Sequence, residues 1–352
     1  MSVSTDGGKV SIIITNHNAH RWLAECFASL RRQTYRNFEV IFVDNHSSDE
    51  SIAFVQANYP ETIIVRNERD EGFASGNNIG VRHARGEFVL LLNTDTKVTD
   101  TFLDDLLFSF REIPKLGCVQ PKLFWLYDPQ KLDSCGSYFT MTGFLQHVGN
   151  RQQAELPEYN AAFPVLSVKG ACMMFRKSLL EKTGGLFDDD YYCYFEETDF
   201  CFRVWLAGYE CWYYPKASIY HAMGGVTGLQ MPNARIQYHS FKNRLTTYLK
   251  NLSPWTLVRM LPLHLALNIA TSSALLVGAQ PRNALAICKA LFYALAHLPS
   301  TLKKRSFVQQ HVRRVSDKAF LPAVTRRFGI AELIRQLYHH VMYGWLKPKA
   351  SS

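Results

Sequence analysis

The sequence predicts an α/β fold: an open, mostly parallel sheet flanked by helices and continued by a helical C-terminal extension. Three observations predict it. Short runs that are apolar on both faces alternate with helix-like segments over the first hundred residues, as parallel strands covered on each side do. Each run ends in polar residues, the place where doubly wound sheets hold their ligands. Beyond about residue 232 the strand signal stops and long helical stretches take over.

In order along the chain, residues 10–15 (VSIIIT), 39–44 (EVIFVD), 62–65 (TIIV) and 88–92 (FVLLL) read as strands. Between them residues 20–31, 49–58 and 74–84 have helical character, with Asp49 as a candidate N-cap. This rhythm predicts strands joined by crossover helices. The strand ends carry Thr15-Asn16, Asp44-Asn45, Arg66-Asn67 and Asn93-Thr94-Asp95, so a nucleotide site is expected there. From 119 to 165 the pattern loosens into short strands and turns. It resumes with 166–176 (LSVKGACMMFR), a helix over 196–207, and two strand-like runs at 210–214 and 217–221. Residues 1–231 read as one catalytic domain, with a nucleotide-binding half of about 1–120 and an acceptor half of about 121–231.

Residues 232–352 read as a helical, basic, membrane-associating region. An amphipathic helix is expected over 235–252. Residues 261–279 are free of charge but interrupted by Pro262, His264 and Asn268, and 284–298 are mostly apolar around Lys289. A spanning helix takes roughly 20 apolar residues, which leaves three arrangements open: a buried helical pair, an interfacial or re-entrant hairpin, and a true span. From Thr301 onward Lys303, Lys304, Arg305, Arg313, Arg314, Arg326 and Arg327 face only Asp317 and Glu332. Such a cluster suits an anionic membrane surface, not nucleic acid.

The 352 residues are 47% hydrophobic and 20% charged, which excludes a disordered or fibrous chain. The eight cysteines show no C-x-x-C pair, and several, Cys172 and Cys211 among them, fall in apolar runs. They are expected to be buried hydrophobes, not disulfides or zinc ligands. Residues 1–9 are polar and lack the apolar core of a signal peptide, so a cytoplasmic location is expected.

Several residues could carry chemistry. Asp95 closes the 88–93 run, where an acid could equally cap a helix starting near Asp100. His221 ends the ASIYH run. A carboxylate oxygen and a neutral imidazole can bind Mg²⁺ or Mn²⁺, with diphosphate oxygens and water completing the shell. Glu196, Glu197 and Asp199 fall in the first turn of the 196–207 helix, where the dipole favours acids. Their crowding would raise at least one pKa, as a general base often requires. Asp199 and Arg203 are also spaced for an i, i+4 pair on a helix surface, and Asp188-Asp189-Asp190 reads as a solvated loop. Asp44 could accept from the imide N–H of a pyrimidine, or simply cap the turn that follows it. The turn from Asn67 through Gly72 to Asn77 and Asn78 can bring amide donors to phosphate oxygens. Neither G-x-G-x-x-G nor G-x-x-x-x-G-K-[ST] occurs there, which disfavours a dehydrogenase or a P-loop NTPase.

Taken together, the segments VSIIITNHN, EVIFVDNHSSD, NERDEGFASGNNIGVRHARGEFVLLLNTDT and GGLFDDDYYCYFEETDFCFRVWLAGYECWYYPKASIYH resemble the inverting glycosyltransferases of family 2, which have the GT-A nucleotide-sugar-binding fold. Within that family they look most like the bacterial rhamnosyltransferase-like branch that builds O-antigen and related cell-surface polysaccharides. The resemblance implies that Asp95, in Asn93-Thr94-Asp95, occupies the metal-binding place of the family's D-x-D motif, with Asn93 replacing the first acid, and that His221 is the second metal ligand. Glu197 matches the second acid of the family's E-D motif, the catalytic base, and Glu196 is the alternative. Thr15, Asn16, His17, Asp44, Asn67, Gly72, Asn77 and Thr94 fall where members bind the nucleotide, with His17 standing where a Tyr is frequent. The Q-x-x-R-W motif of processive synthases is missing, so one sugar per encounter is expected. The implied partners are a dTDP- or UDP-activated hexose, rhamnose above all, and a glycan or polyprenyl-diphosphate-linked acceptor. The implied cofactor is Mg²⁺ or Mn²⁺, and the implied location is the inner face of the bacterial plasma membrane. A non-catalytic nucleotide-sugar-binding scaffold is the alternative, one that would need no Asp95, Glu197 and His221 together.

Overall fold

The computed structural model describes residues 8–222 and 231–327. Within them the strands are β1 (Val10–Asn16), β2 (Phe38–Asp44), β3 (Ile63–Arg66), β4 (Phe88–Leu92), β5 (Thr96–Val98), β6 (Leu116–Trp125), β7 (Asp128–Ser134), β8 (Ser137–Tyr138), β9 (Gln146–His147), β10 (Phe163–Pro164), β11 (Cys172–Arg176) and β12 (Glu210–His221). The α-helices are α1 (His20–Arg31), α2 (Ser51–Asn58), α3 (Gly72–His83), α4 (Phe102–Glu112), α5 (Leu179–Thr183), α6 (Glu196–Leu206), α7 (Asn233–Asn251), α8 (Pro254–Val277), α9 (Pro281–Ala296), α10 (Leu298–Phe307) and α11 (Asp317–Val324). The main sheet runs β10-β12-β6-β11-β4-β1-β2-β3, with β5 added to β12 and β7 to β6. Strands β4, β1, β2 and β3 are parallel, in the 3-2-1-4 order of a mononucleotide-binding half. The expected sheet is there, joined by β11, which runs antiparallel between β4 and β6.

The two-sided apolar character of these strands has a direct cause. Val10, Ile12 and Ile14 of β1 pack on one core with α1 and α4, whereas Ile13 packs on the other with Ile41, Val43 and α3. Gly76 lets α3 lie close, because a Cβ there would meet Thr15 Cγ2 at 2.7 Å.

Some expectations shift. The runs at 210–214 and 217–221 form one strand, β12, broken in register between Tyr214 and Ser218. Asp49 does not head a helix 49–58: α2 starts at Ser51, and the Asp49 carboxylate instead accepts from the His20 N–H at 2.9 Å, capping α1, and from Ser51 N at 3.1 Å. Cys288 is exposed; the other seven cysteines are buried, and all are free.

Two acids read as surface features, Asp199 and Asp188, are largely enclosed instead, whereas Asp189 and Asp190 are exposed as the loop reading expected. Asp199 is fully buried, bound by Arg203 Nε at 3.0 Å, Lys250 Nζ at 2.9 Å and Asn251 Nδ2 at 2.7 Å. Asp188 is no solvated loop residue: Lys250 and Lys304 lie 2.9 and 2.5 Å from its two oxygens. Burial opposes its charge, but the two ammonium groups outweigh this and hold its carboxyl well below the usual range. Helical periodicity placed Asp199 and Arg203 on one face but could not show that α7 covers it. Removing one partner of such a buried network leaves uncompensated charge. Asp199→Ala is therefore expected to cost about 3–5 kcal/mol in urea unfolding; a loss below about 1 kcal/mol would mean the network is only surface decoration.

Candidate active site

A cavity of about 480 Å³ opens at the carboxyl ends of β1 and β4, where the strand order reverses. Its walls include Thr15-Asn16-His17-Asn18, Asn45, Asp70, Gly72, Phe73, Asn93-Thr94-Asp95, Tyr192, Cys193, Met231 and Arg235. Six of the residues expected at a nucleotide or metal site thus line it: Thr15, Asn16, His17, Gly72, Thr94 and Asp95. Gly72 has φ +75°, and a Cβ there would meet Tyr192 Cδ2 at 2.4 Å, so the turn and its close contact both require glycine. Tyr192 donates to the Asp70 carboxylate and lies under Arg235, whose guanidinium carbon is 4.6 Å from the ring centroid.

Three expected nucleotide contacts stand behind the wall instead. Asp44 is buried, accepting from Asn16 Nδ2 at 3.1 Å and Ser47 N at 2.9 Å, the turn-capping arrangement. Asn67 donates to Asn45 Oδ1 at 2.6 Å. Asn77 is buried and donates back to Phe73 O at 2.8 Å. They shape the strand ends and the α3 turn; their side chains do not line the cavity.

Asp95 does not cap α4. It is buried, with His221 Nε2 3.3 Å from its Oδ1. The pairing of His221 with Thr96 across β12 and β5, and the Ala222 N–H to Asp95 O bond of 3.0 Å, bring the two together. On the other ring nitrogen, His221 Nδ1 lies 2.7 Å from Asp133 Oδ2, and Asp133 Oδ1 takes Lys169 Nζ at 2.8 Å. Burial opposes charge on the imidazole, but Asp95 and Asp133 outweigh it and push its pKa up to about 9. Burial would likewise raise Asp133, yet Lys169 and His221 hold it well below the usual range.

Among the described residues no three His, Cys, Asp or Glu side chains converge as a closed metal cage. Asp95 Oδ1 is nevertheless buried without a hydrogen bond. That oxygen and His221 Nε2 are a hard carboxylate and an imidazole nitrogen that, with its proton displaced by the metal, suits a divalent ion whose other positions are filled by phosphate oxygens and water. Asp133 would fix the imidazole through its far nitrogen, as carboxylates behind metal-bound histidines do.

Glu196 and Glu197 begin α6, next to the cavity wall but not on it. Glu196 is buried with Oε2 unpaired. Burial pushes it well above the usual carboxyl range, and the neighbouring Glu197 charge adds to this. Burial raises Glu197 to about 7, less far because Lys169 and Glu196 favour its ionised form. A Cβ on Gly170 would lie 3.5 Å from the Phe73 ring and 3.8 Å from Glu197 Cβ, so this acid sits one small residue from the cavity. Two carboxyls pushed apart in this way can divide the work, one keeping a proton while the other accepts one.

The turn that presents them is strained. Tyr192, Tyr194 and Phe195 all have positive φ, at 59°, 65° and 72°, a cost of order 1–3 kcal/mol each. Asn243 of α7 holds it, its amide donating to Tyr191 O, Cys193 O and Tyr194 O at 2.9, 2.9 and 2.6 Å.

Sequence reasoning missed Asp133, Lys169, Asn243, Tyr192 and Arg235. A signal existed for two: a lone acid in Leu132-Asp133-Ser134-Cys135 and a lone Lys before the buried run Cys172–Arg176 are charges in apolar surroundings. Asn243, on a polar helix, carried none.

Residues 11–184 match the family model described as Glycosyl transferase family 2. Over 197 residues the chain is 27% identical to the glycosyltransferase GlyG of Streptococcus pneumoniae, covering 51% of this chain and 62% of that protein. Over 193 residues it is 32% identical to the O-antigen biosynthesis protein RfbC of Myxococcus xanthus, covering 51% of this chain and 15% of that protein. The chain spans 24%, 62% and 42% of the length of three curated relatives it matches, GlyG among them, less than two thirds in each. In three dimensions it superposes on GalNAc-T7, solved with UDP, GalNAc and Mn²⁺, with TM-score 0.56 and 15% identity over 70% of this chain and 48% of that one. The fold is the GT-A fold.

Proposed function

Because this chain belongs to glycosyltransferase family 2, we propose that it is an inverting, non-processive transferase. It moves a hexose, rhamnose in our reading, from a dTDP- or UDP-sugar to a glycan or polyprenyl-diphosphate-linked acceptor in cell-surface polysaccharide assembly. The observation that carries this is the cavity at the strand-order reversal, which has Asp95 in its wall, His221 against Asp95, and the raised Glu196–Glu197 pair beside it.

In this reading Thr15, Asn16, His17 and Thr94 bind the nucleotide, with Asp44, Asn67 and Asn77 shaping the strand ends behind them. Asp95 and His221 hold Mg²⁺ or Mn²⁺, which when bound neutralises charge growing on the leaving diphosphate. Arg235, which lines the cavity, adds positive charge there. Glu197 takes the proton of the attacking hydroxyl, and Glu196 is the alternative base. GalNAc-T7 supports a uridine diphosphate and a manganese ion by likeness of fold, and the Myxococcus relative supports O-antigen assembly. In this reading the protein works at the cytoplasmic face of the membrane, where a lipid-linked acceptor is presented.

The test is donor binding by calorimetry against dTDP-rhamnose, UDP-glucose, UDP-galactose and GDP-mannose, with and without Mn²⁺. Tight, metal-dependent binding of one thymidine or uridine sugar is expected. No binding to any by folded protein refutes the donor assignment. In the same assay Asp133→Asn is expected to weaken Mn²⁺ by about 10–100-fold while metal-free nucleotide binding is kept. Unchanged Mn²⁺ affinity would mean that Asp133 does not act through the imidazole.

A further inference from the structure

The polarity of α8 is reversed. A helix packed on a water-soluble domain turns its apolar stripe inward and its polar face to solvent. In α8 the buried positions include His264, Asn268, Thr271 and Ser272, alongside Met260, Leu267 and Leu275. Its outward positions are mostly apolar: Trp255, Val258, Ile269, Leu276 and Val277 are 62, 67, 59, 57 and 90% exposed. The surface continues on α9, where Ala284, Ile287 and Ala290 pack inward while Leu285, Phe292 and Leu295 are 53, 72 and 71% exposed. Scattered surface hydrophobes are ordinary, but large side chains lined up on two neighbouring helices over a partly polar inner face mark an interaction surface.

The charge around this surface selects its partner. Residues 252–327 hold eleven Lys and Arg against one acid, Asp317. Asp317 is buried and occupied by Arg313 Nη1 at 2.7 Å. Arg259, Arg282 and Lys289 stand exposed on the same two helices, Arg259 next to the exposed Trp255. A second copy of this chain would set like charges against one another. An anionic lipid leaflet satisfies both features, with acyl chains against the apolar side chains and phosphates against the cations.

The structure also decides how deep the contact goes. At 24 residues, with a mean hydropathy of 1.6 over an 18-residue stretch, α8 is long and apolar enough to cross a bilayer. Its middle is tied to the catalytic domain, however: His264 Nδ1 lies 2.8 Å from Thr142 O and its ring 5.6 Å from that of Tyr248. Its start is tied too, to α11 of the C-terminal region, through the Ser253 N–H to Asp317 at 2.8 Å. A helix fastened to the folded chain at its start and middle, with its second half packed on α9, is held from crossing the bilayer and lies in the interface. We propose that the outer face of α8 and α9 embeds in one leaflet of an anionic membrane as a monotopic anchor. This deepens the reading of a membrane-borne acceptor and rests on it for purpose.

Cys288 of α9, exposed while the other seven cysteines are buried, offers the probe. The full chain is labelled there with an environment-sensitive fluorophore and mixed with vesicles of phosphatidylcholine alone or enriched in phosphatidylglycerol. Phosphatidylglycerol vesicles are expected to shift the emission to the blue, and acyl-brominated lipid to quench it. Added salt should weaken binding. The double variant Phe292→Glu, Leu295→Glu should lower partitioning by on the order of tenfold or more. No blue shift with anionic vesicles, or equal partitioning of the double variant, overturns the proposal. A mass doubled in vesicle-free solution and restored to monomer by the double variant also overturns it, in favour of a second copy. Nucleotide-sugar calorimetry on the same preparation without vesicles keeps the questions apart, because its failure strikes the transferase reading alone.

Discussion

Glu197→Gln is expected to lower kcat by about 10²–10⁴-fold, the usual contribution of a positioned general base, while donor affinity stays near that of the wild type. The neighbouring Glu196→Gln should remain within about tenfold, because a glutamine amide can still donate to the Glu197 carboxylate. The pH profile follows from the same assignment. Burial raises Glu197 to about 7. A base works only when deprotonated, so kcat should be level above that pH and fall about tenfold per unit below it. A Glu196→Gln loss as large as that of Glu197→Gln would transfer the role to Glu196. A flat profile from pH 5 to 8 in the wild type would remove the raised base altogether.

Asp95→Ala is the second large effect. Polarisation of a diphosphate by a bound cation contributes several kcal/mol, so transfer should drop by on the order of 10²–10³-fold, and Mn²⁺ should no longer strengthen donor binding. His221→Ala should show the same signature. The double variant should be little worse than either single one, since residues serving one ion are not additive. Backbone structure should survive, because the Ala222 N–H to Asp95 O bond does not use the side chain; circular dichroism checks this. Additive losses, or Mn²⁺ dependence kept in both single variants, would separate the two residues from a common ion.

Other parts of the site answer to different forces. The positive-φ turn before α6 is held by one amide, Asn243, that reaches three carbonyls from a helix outside the matched segment 11–184. The ion network of Asp188, Asp199, Arg203, Lys250 and Lys304 fastens the same helix to α7 and α10. Position and protonation of Glu197 thus depend on the C-terminal helices as well as on the sheet.

Much of the fold was legible before any coordinates. The runs at 10–15, 39–44 and 88–92 became β1, β2 and β4, because alternate residues of an all-apolar strand enter two cores and the pattern needs no distant information. The cavity was legible as a place, since the polar strand ends Thr15-Asn16 and Asn93-Thr94-Asp95 lie where parallel strands deliver them. Asp44, Asn67 and Asn77 were legible only as neighbours of that place. Which way an amide points depends on partners such as Asn45 Oδ1 and Phe73 O, and spacing does not reveal them.

Tertiary structure decided the rest. Asp133 meets His221 across a separation of 88 residues, through the β6–β7 hairpin and the β12–β5 pairing. The raised pKa values of Glu196 and Glu197 come from burial that crowding in sequence could only suggest. The charge-free stretch 261–279 left three arrangements open. The hydrogen bond between His264 and Thr142 O pins the middle of α8 to the catalytic domain, leaving its apolar face outward. Hydrophobic period and strand-end polarity are set by residues a few positions apart, so the sequence alone determined sheet, switch point and family. Distances among charged groups and the exposure of a helix face arise where distant segments pack, so only the folded chain determined those.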